Sequence, residues 1–142
     1  MISIEAIQNH KYDLVKAKAA SHISSEMVEE IMQFHQSIGN KVTPLIALSG
    51  LAKNLGIQSL FVKDESHRLG LNAFKGLGAS YAMSKQLGKN SKIEVFCTAT
   101  DGNHGKAVAW MANKLGKKAV IYMPKGTVSD RVKSIEKEGA EV

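Results

Sequence analysis

Cysteine, proline and aromatic residues are scarce in this chain of 142 residues. The single cysteine, Cys97, excludes an internal disulfide, and the stretch Glu94-Val95-Phe96-Cys97 predicts that it lies in a buried strand. Long apolar runs are also missing, since none approaches the roughly 18 residues that a membrane span needs. The first residues lack the basic and apolar regions of a secretory signal. We therefore expect a protein of the reducing cytoplasm that has no membrane partner.

Negative charge is in deficit, and the formal net charge is +6. Residues 1–40 hold three lysines against five acids, so the excess of positive charge, +8, belongs to residues 41–142. The basic residues of that part are spread over helix ends and loops, and no aromatic side chains alternate with them to stack on bases. The pattern disfavours a nucleic-acid partner and favours small anionic ligands.

Alternating helical and extended patterns predict an α/β fold with a parallel sheet and flanking helices. Residues 1–40 are predicted to form an N-terminal helical arm, with a helix from Ser24 or Ser25 to Ser37. Residues 41–142 are predicted to form an α/β domain. Its expected strands are 57–63, 93–99 and 118–123, and its expected helices are 50–55, 74–88, one from the turn 100–105 to Gly116, and 129–139.

Three finer expectations accompany this outline. Ser49 and Ser129 are expected to cap the helices that follow them. The stretch 64–72 is polar and is expected to be a loop. Residues 140–142 look like the entry to a further strand, so we expect the α/β domain to be truncated at its C-terminus.

Lys75 is one of 17 lysines, and its position distinguishes it. It lies just after the predicted start of a helix, where the positive end of the helix dipole disfavours a protonated amine. Phe74 and Leu77 are expected to desolvate it partly, which also favours the neutral amine that forms an imine with an aldehyde. The alternative is an ordinary surface lysine.

The turn Thr100-Asp101-Gly102-Asn103-His104-Gly105 lies between a predicted strand and a predicted helix. The carboxyl ends of strands in open α/β sheets are where ligands bind, and the free N–H groups of a helix start suit a carboxylate or phosphate. Asp101 is a candidate base, Asn103 a hydrogen-bonding side chain and His104 a polar neighbour. The alternative is a helix cap formed by Asp101 or Asn103.

Two other site classes are disfavoured. Gly76-Leu77-Gly78-Ala79-Ser80-Tyr81 begins like a dinucleotide fingerprint, but it ends in tyrosine and lies within a predicted helix. His10, His22 and His35 include no pair at the spacing of a helical metal site, so we expect no metal.

Four motifs follow one another along the chain: Thr43-Pro44-Leu45, then Val62-Lys63-Asp64-Glu65-Ser66, then Asn72-Ala73-Phe74-Lys75, then Asp101-Gly102-Asn103-His104-Gly105. Their order resembles that of the fold-type II pyridoxal-phosphate enzymes, a family that includes threonine dehydratase and the tryptophan synthase beta chain. The residues within these motifs are most similar to those of the diaminopropionate ammonia-lyases. The resemblance covers nearly all of residues 40–142 and implies the N-terminal part of a tryptophan-synthase-beta-like fold.

The resemblance implies a role for each residue of the two stretches. Lys75 matches the lysine that holds pyridoxal 5'-phosphate as a Schiff base, and Asn103 matches the asparagine that hydrogen-bonds the phenolic oxygen of the cofactor. Thr100, Gly102 and His104 belong to the loop that holds the substrate carboxylate. Asp101 suits a lyase that removes the α proton of a D-amino acid and converts 2,3-diaminopropionate to pyruvate and ammonia.

The resemblance also implies what lies elsewhere in the fold. Relatives have a glycine-rich loop for the cofactor phosphate and a group facing the pyridine nitrogen, and neither is found in these 142 residues. We expect a homodimer in the family. The alternatives are a threonine or serine dehydratase-like lyase, or a non-catalytic fragment that self-associates through bare apolar surface.

Overall fold

The computed structural model describes residues 10–19 and 23–142. Residues 1–9 and 20–22 of the predicted arm, including His22, lie outside the described residues. The elements in chain order are α1 (Leu14–Ala19), α2 (Ser25–Ser37), β1 (Leu45–Ala47), α3 (Ser49–Leu55), β2 (Phe61–Lys63), a 3₁₀ helix (Glu65–Gly70), α4 (Lys75–Lys89), β3 (Val95–Ala99), α5 (Asn103–Lys114), β4 (Lys118–Tyr122) and α6 (Ser129–Glu136).

Helix α2 begins and ends where its sequence predicts. The Ser24 side chain caps it by accepting a hydrogen bond from the Met27 amide at 3.3 Å. Just beyond its C-terminus Gly39 has a φ of 85°, a left-handed conformation that glycine adopts without strain. Phe34 on α2 meets Tyr81 on α4 edge to face, with ring centroids 5.6 Å apart. These contacts join the N-terminal helix to the α/β part of the chain.

The strands form two separate two-stranded sheets. Strands β3 and β4 are parallel, with Val95 opposite Lys118 and Ala99 opposite Tyr122, as the α/β pattern predicts. Beyond β4, Glu141 forms an isolated parallel bridge to Val120, where the sequence predicts the entry to a further strand. Within the described part of the chain, no helix has the length and apolar character needed to cross a membrane.

Strands β1 and β2 differ from the expectation, because they pair antiparallel. Helix α3 between them has seven residues and ends at Gly56, whose φ of 67° turns the chain back. The predicted strand 57–63 is correspondingly reduced to Phe61–Lys63. Pro44, which has no N–H to donate, accepts a hydrogen bond through its carbonyl from the Asp64 amide at 2.9 Å.

Three local predictions are wrong. Ser49 and Ser129 are the first residues of α3 and α6 rather than their caps, and the residues before them, Leu48 and Val128, make no side-chain capping bond. The predicted loop 64–72 contains the 3₁₀ segment, which is two short turns separated by the non-helical backbone of Arg68 and Leu69, and the Asp64 side chain starts the first turn by accepting a hydrogen bond from the Ser66 amide.

Cys97 is exposed rather than buried. Along β3 the side chains alternate between exposed and half-buried, with Phe96 and Thr98 on the half-buried face. Helix α5 packs against β3, and Cys97 belongs to the set of alternate residues that stays exposed. The apolar composition of the strand therefore does not decide whether both faces are buried.

The core lies where α4, α5, β4 and α6 meet. Helix α5 is the central element, since its side chains from Ala107 to Ala109 and at Met111 and Ala112 are all buried. The small alanine side chains allow α4 and β4 to pack closely on either side of α5. Ile121 of β4 and Ile135 of α6 are each about 1% exposed and complete the core. This packing sets the position of the N-terminus of α5.

Gly105, the third residue of α5, lies at the closest point of this packing. A β-carbon there would lie 2.7 Å from Thr100 Cγ2 and 2.9 Å from Ile121 Cγ2. Real β-carbons do not approach other atoms so closely, so only glycine lets the start of α5 contact the ends of β3 and β4.

Replacing Gly105 with alanine is therefore expected to lower the free energy of unfolding by about 1–3 kcal/mol through overpacking. Gly78→Ala is the matched control, because no atom lies within 4 Å of a β-carbon at this exposed position in α4. That variant should gain up to about 1 kcal/mol from helix propensity. Urea unfolding of both variants checks the prediction, and an equal effect in both would contradict it.

Candidate active site

Lys75 is the first residue of α4 and its side chain is exposed. The expected desolvation by Phe74 is wrong, because Phe74 precedes the helix with its ring 60% exposed. Among the described residues, Lys75 takes part in no salt bridge and no side-chain hydrogen bond. The structure thus leaves its amine accessible at the N-terminus of a helix.

The second residue of α4, Gly76, is buried against the loop that precedes it. A β-carbon there would lie 2.8 Å from Leu71 Cδ1 and 3.1 Å from Leu69 Cδ1. Leu71 itself is 3% exposed. The first turn of α4, and with it the backbone of Lys75, is therefore packed directly onto the 3₁₀ segment.

Arg68 anchors that segment and is only 8% exposed. Its guanidinium donates to both carboxylate oxygens of Glu65, at 2.7 and 2.8 Å. It also donates to the Thr43 hydroxyl at 3.1 Å, to the Asn40 side chain at 2.6 Å and to the Lys41 carbonyl at 2.8 Å. These bonds tie Arg68 to Glu65 of its own segment and to residues 40–43 of the preceding one. A planar guanidinium can hold them together because its N–H groups point in several fixed directions.

Glu65 is correspondingly held in its ionised form. The Arg68 guanidinium, followed by the Thr43 hydroxyl at 2.8 Å, lowers the pKa of the Glu65 carboxyl to about 2 from its ordinary 4.5. The carboxylate accepts charge-assisted hydrogen bonds on both oxygens, and each such bond favours the charged state. The network is therefore sensitive to acid at this one carboxyl.

Two residues between this network and Lys75 adopt left-handed backbone conformations. Leu69 has a φ of 53° and Asn72 a φ of 58°. Asparagine tolerates this region, whereas leucine is destabilised there by roughly 1–2 kcal/mol. The conformation of Leu69 is retained because the packing on Gly76 and the Arg68 network on either side hold it.

The second stretch begins where β3 ends. The Thr100 amide still bonds the Tyr122 carbonyl at 2.9 Å, and Gly102 precedes the first residue of α5 in an extended conformation. The predicted turn 100–105 is thus shorter than expected, since Asn103 already begins the helix. Gly102 carries no side-chain cap and neither Asp101 nor Asn103 caps α5, so the capping alternative is wrong. The first amides of the helix are left to face a ligand or solvent.

Asp101 pairs with Arg131 rather than with the helix. A carboxylate oxygen of Asp101 lies 3.1 Å from Arg131 Nη1, and both side chains are about 60% exposed. Arg131 lies in the first turn of α6, so the pair joins the turn to a separate helix. An exposed pair of this kind contributes about 1 kcal/mol or less to stability, so its main effect is on the orientation of the carboxylate.

Two open cavities flank this pair. One, of about 530 Å³, lies at the carboxyl ends of β3 and β4 and includes Thr100, Asp101 and Tyr122 in its lining. The other, of about 340 Å³, is lined by Gly102, Asn103, Lys106, Asp130, Arg131, Ser134 and Ile135. The first occupies the position at which open α/β sheets bind ligands.

Each stretch lies at the start of a helix, and these two helices, α4 and α5, pack against each other. Thr100, Asp101, Gly102, Asn103 and His104 are contiguous between β3 and α5, and Lys75 begins α4, which packs along α5. Among the described residues, no hydrogen bond or ion pair joins Lys75 to the turn. Asn103 is exposed and His104 is half-buried, and the structure shows no hydrogen bond from either side chain.

Sequence reasoning missed the two arginines of the chain. Arg68 fell in a stretch predicted to be a polar loop, and Arg131 in a predicted helix of unassigned role. The signal was available in the composition, because the chain has 17 lysines and only these two arginines. Arginine is suited to holding a carboxylate with its planar guanidinium. Arg131 pairs with Asp101, which is itself a candidate site residue, and Arg68 holds Glu65 in the segment that precedes Lys75 in the chain.

Comparison with known proteins identifies the family. A family model described as pyridoxal-phosphate dependent enzyme matches residues 37–142. The chain belongs to this family. Its cofactor is pyridoxal phosphate, as the resemblance predicts. Diaminopropionate ammonia-lyase of Salmonella typhimurium is 43% identical over 145 aligned residues, covering 87% of this chain and 36% of that protein. A biosynthetic L-threonine dehydratase of Haemophilus influenzae is 38% identical over 102 residues, covering 72% of this chain and 19% of the dehydratase.

Solved structures agree with the sequence relatives. Diaminopropionate ammonia lyase from Escherichia coli, in complex with an aminoacrylate-PLP azomethine reaction intermediate, has a TM-score of 0.78 and 46% identity to this chain. The alignment covers 83% of this chain and 34% of that one. The predicted fold class is thereby confirmed. The chain spans about a third of the length of the ammonia-lyases it matches.

The described residues fit the family's cofactor. An aldehyde cofactor needs an accessible primary amine, and the Lys75 amine is exposed and not engaged in an ion pair. Anionic and phenolic oxygens need donors, and the uncapped start of α5 offers amides beside the exposed Asn103 side chain. Both groups lie at helix N-termini, which are the positive ends of their dipoles.

The Glu65 network predicts acid-sensitive stability. Because the pKa of Glu65 is lower in the folded chain than in the unfolded one, its ionised carboxylate stabilises the fold fully above about pH 5. That contribution is lost as the pH falls toward about 2. Glu65→Gln should lower the free energy of unfolding by about 2 kcal/mol at pH 7 and flatten its decline between pH 5 and 2.

Urea unfolding across this pH range measures both effects. Glu94→Gln is the control, because Glu94 is 72% exposed and its pair with Lys117 lies at the surface. A Glu65→Gln profile that runs parallel to that of the parent chain would contradict the assignment.

Proposed function

We propose that this chain supplies the lysine-bearing part of a pyridoxal-phosphate-dependent ammonia-lyase that converts 2,3-diaminopropionate to pyruvate and ammonia. The observation that carries the proposal is the uncapped start of α5, where Asp101 and Asn103 lie beside the carboxyl end of β3. Membership of the family and 43% identity to an ammonia-lyase support the reaction class. The threonine dehydratase match is shorter and at 38% identity.

Lys75 and Asn103 are the residues that hold the cofactor in this proposal. The exposed amine of Lys75 would hold the cofactor as an imine at its aldehyde carbon, with loss of water, and the Asn103 side chain would donate a hydrogen bond to its phenolic oxygen. When bound, pyridoxal phosphate supplies an electron sink for the negative charge left by removal of the α proton. The first amides of α5 with Thr100, Gly102 and His104 bind the substrate carboxylate, since those amides have no cap.

Asp101 is the proposed base for the α proton. Its carboxylate lies on the cavity at the ends of β3 and β4, and the Arg131 guanidinium 3.1 Å away restricts its orientation. A base must lie within hydrogen-bonding reach of the proton that it removes, so a restricted carboxylate is better suited than a mobile one. The proposal assigns Asp101 to the face of the substrate that Lys75 does not serve. An aspartate at this position suits the D-isomer.

The nearest alternative is a threonine or serine dehydratase-like lyase. It uses the same lysine and asparagine but expels a hydroxyl group rather than an amine from the β carbon. A substrate comparison separates the two reactions. The 2-oxoacid formed is measured with the D- and L-isomers of diaminopropionate, serine and threonine.

We further propose that the protein works in the cytoplasm as a homodimer. The small sheet supports an association surface, since Leu45 and Phe61 are 65% and 57% exposed and Ile46 and Val62 are each 43% exposed. An open two-stranded sheet with apolar side chains on its faces is poorly stable without a cover. The single exposed thiol of Cys97 suits a reducing compartment.

Cofactor capture tests the role of Lys75. When the chain is incubated with pyridoxal phosphate and reduced with borohydride, the peptide containing Lys75 should carry the cofactor mass. Lys75→Ala should abolish that labelling, and Lys89→Ala should leave it intact, because Lys89 is an exposed lysine at the other end of the same helix. Peptide mass spectrometry gives the site and extent. Uniform labelling of surface lysines, or self-association with no capture, would favour the non-catalytic alternative.

Asp101→Asn tests the base. We expect pyruvate formation from D-2,3-diaminopropionate to fall at least about a hundredfold, because the amide cannot accept the proton. The L-isomer should be affected less, and cofactor capture at Lys75 should be unchanged. Asp130→Asn is the matched control, an exposed aspartate in α6 beside Arg131. Equal losses on both isomers would count against Asp101 as the base for one face.

A further inference from the structure

We propose that Arg68 is a positioning residue for Lys75, an inference that rests on the cofactor role proposed above for Lys75. The side chain of Arg68 does not reach the lysine. It acts by clamping the 3₁₀ segment on which the first turn of α4 is packed. Three observations connect the two residues in sequence: a buried guanidinium network, a strained loop and a close contact at Gly76.

The first link is the clamp itself. Arg68 is 8% exposed and Thr43 is 4% exposed, so these two side chains are buried, whereas the Glu65 side chain is 23% exposed. The Thr43 hydroxyl accepts from Arg68 and donates to Glu65, which closes a ring of three side chains. Arg68 also holds the Asn40 side chain and the Lys41 carbonyl. The segment 40–43 after α2 is thus bonded to the 3₁₀ segment and holds it in place.

The second link is the loop that follows Arg68. The Leu71 amide bonds the Arg68 carbonyl at 2.9 Å, so the backbone of the clamp continues directly into Leu71. Leu69, between them, is held in a left-handed conformation that a leucine does not adopt without support. A loop with a strained residue relaxes when its anchors are removed, so the conformation here depends on the clamp.

The third link is the contact with α4. The terminal methyl carbons of Leu71 and Leu69 pack directly on Gly76, where a β-carbon would lie 2.8 and 3.1 Å from them and would force them to shift. The His35 ring lies 3.0 Å from the Leu77 carbonyl and holds the other side of the same turn. Lys75 takes part in no side-chain hydrogen bond or salt bridge among the described residues, so the backbone of this turn is what sets the point from which its amine reaches out. A loosened loop therefore moves the amine.

Hydrogen exchange of the chain without cofactor tests the clamp directly. The amides of residues 79–81 bond the carbonyls of residues 75–77, so their exchange reports on the first turn of α4. Arg68→Met, of similar length, should raise exchange there about tenfold relative to residues 87–89 at the other end of α4. Thr43→Val should do the same to a smaller extent, and Thr43→Ser, which keeps the hydroxyl, should restore the parent values.

Cofactor capture at Lys75 gives the functional readout. The rate of labelling should fall about tenfold in Arg68→Met. A misplacement of ~1 Å can cost about a hundredfold in rate, and a loosened turn displaces the amine for only part of the time. Leu115→Ala is the control for general destabilisation, because Leu115 packs on the core at the C-terminal end of α5. That variant should lower Tm while leaving both exchange at 79–81 and capture close to the parent values.

Two outcomes would overturn the proposal. One is exchange that rises equally at both ends of α4 in Arg68→Met. The other is a loss of capture in Leu115→Ala that matches the loss in Arg68→Met at equal Tm. Either would give Arg68 a purely stabilising role. If the parent chain captures no cofactor at Lys75, the proposed function fails, and the exchange comparison still decides whether Arg68 positions the turn.

Discussion

The close approach of Gly105 to the ends of β3 and β4 is the contact on which the geometry of the site depends. Because no side chain fits between Gly105, Thr100 and Ile121, α5 starts directly against the sheet. Only Thr100, Asp101 and Gly102 separate β3 from α5. A connection of three residues has little freedom, so the start of α5 lies close to the carboxyl ends of β3 and β4. Packing at Gly105 thereby sets the position of the polar groups in this connection.

The start of α4 at Lys75 also depends on a glycine that packs closely against the preceding loop. Gly76 again removes a side chain where a loop meets a helix start, but here the loop is irregular and needs its own anchor. Arg68 provides that anchor from a buried position, where hydrogen bonds to a carboxylate are strong. The Asp101–Arg131 pair is exposed and adds little stability. Structural rigidity is thus concentrated around the backbone of Lys75 rather than around Asp101.

Sequence patterns correctly predicted those helices and strands whose formation depends on neighbouring residues. Helix α2 follows from its apolar spacing and the Ser24 cap, and β3 and β4 follow from two short apolar runs. The same reasoning misplaced Ser49 and Ser129, because serine is favoured both as a cap and in a first helical turn. The same reasoning wrongly predicted that Cys97 is buried, because an apolar strand has the same sequence pattern whether one or both of its faces are covered. Pairing direction and face coverage depend on elements that are distant in the chain.

The candidate site divides in the same way. The sequence by itself determined the family, because the order of four motifs, including those around Lys75 and Asn103, is specific to it. It could not choose between a helix cap and a ligand-facing turn at Asp101, since both use the same residue types. Only the tertiary structure excluded the cap, because α5 starts at Asn103 without a side-chain cap and Arg131 of another helix pairs with Asp101. The Arg68 clamp likewise needed the fold, since its partners at residues 40–43 lie more than twenty residues away.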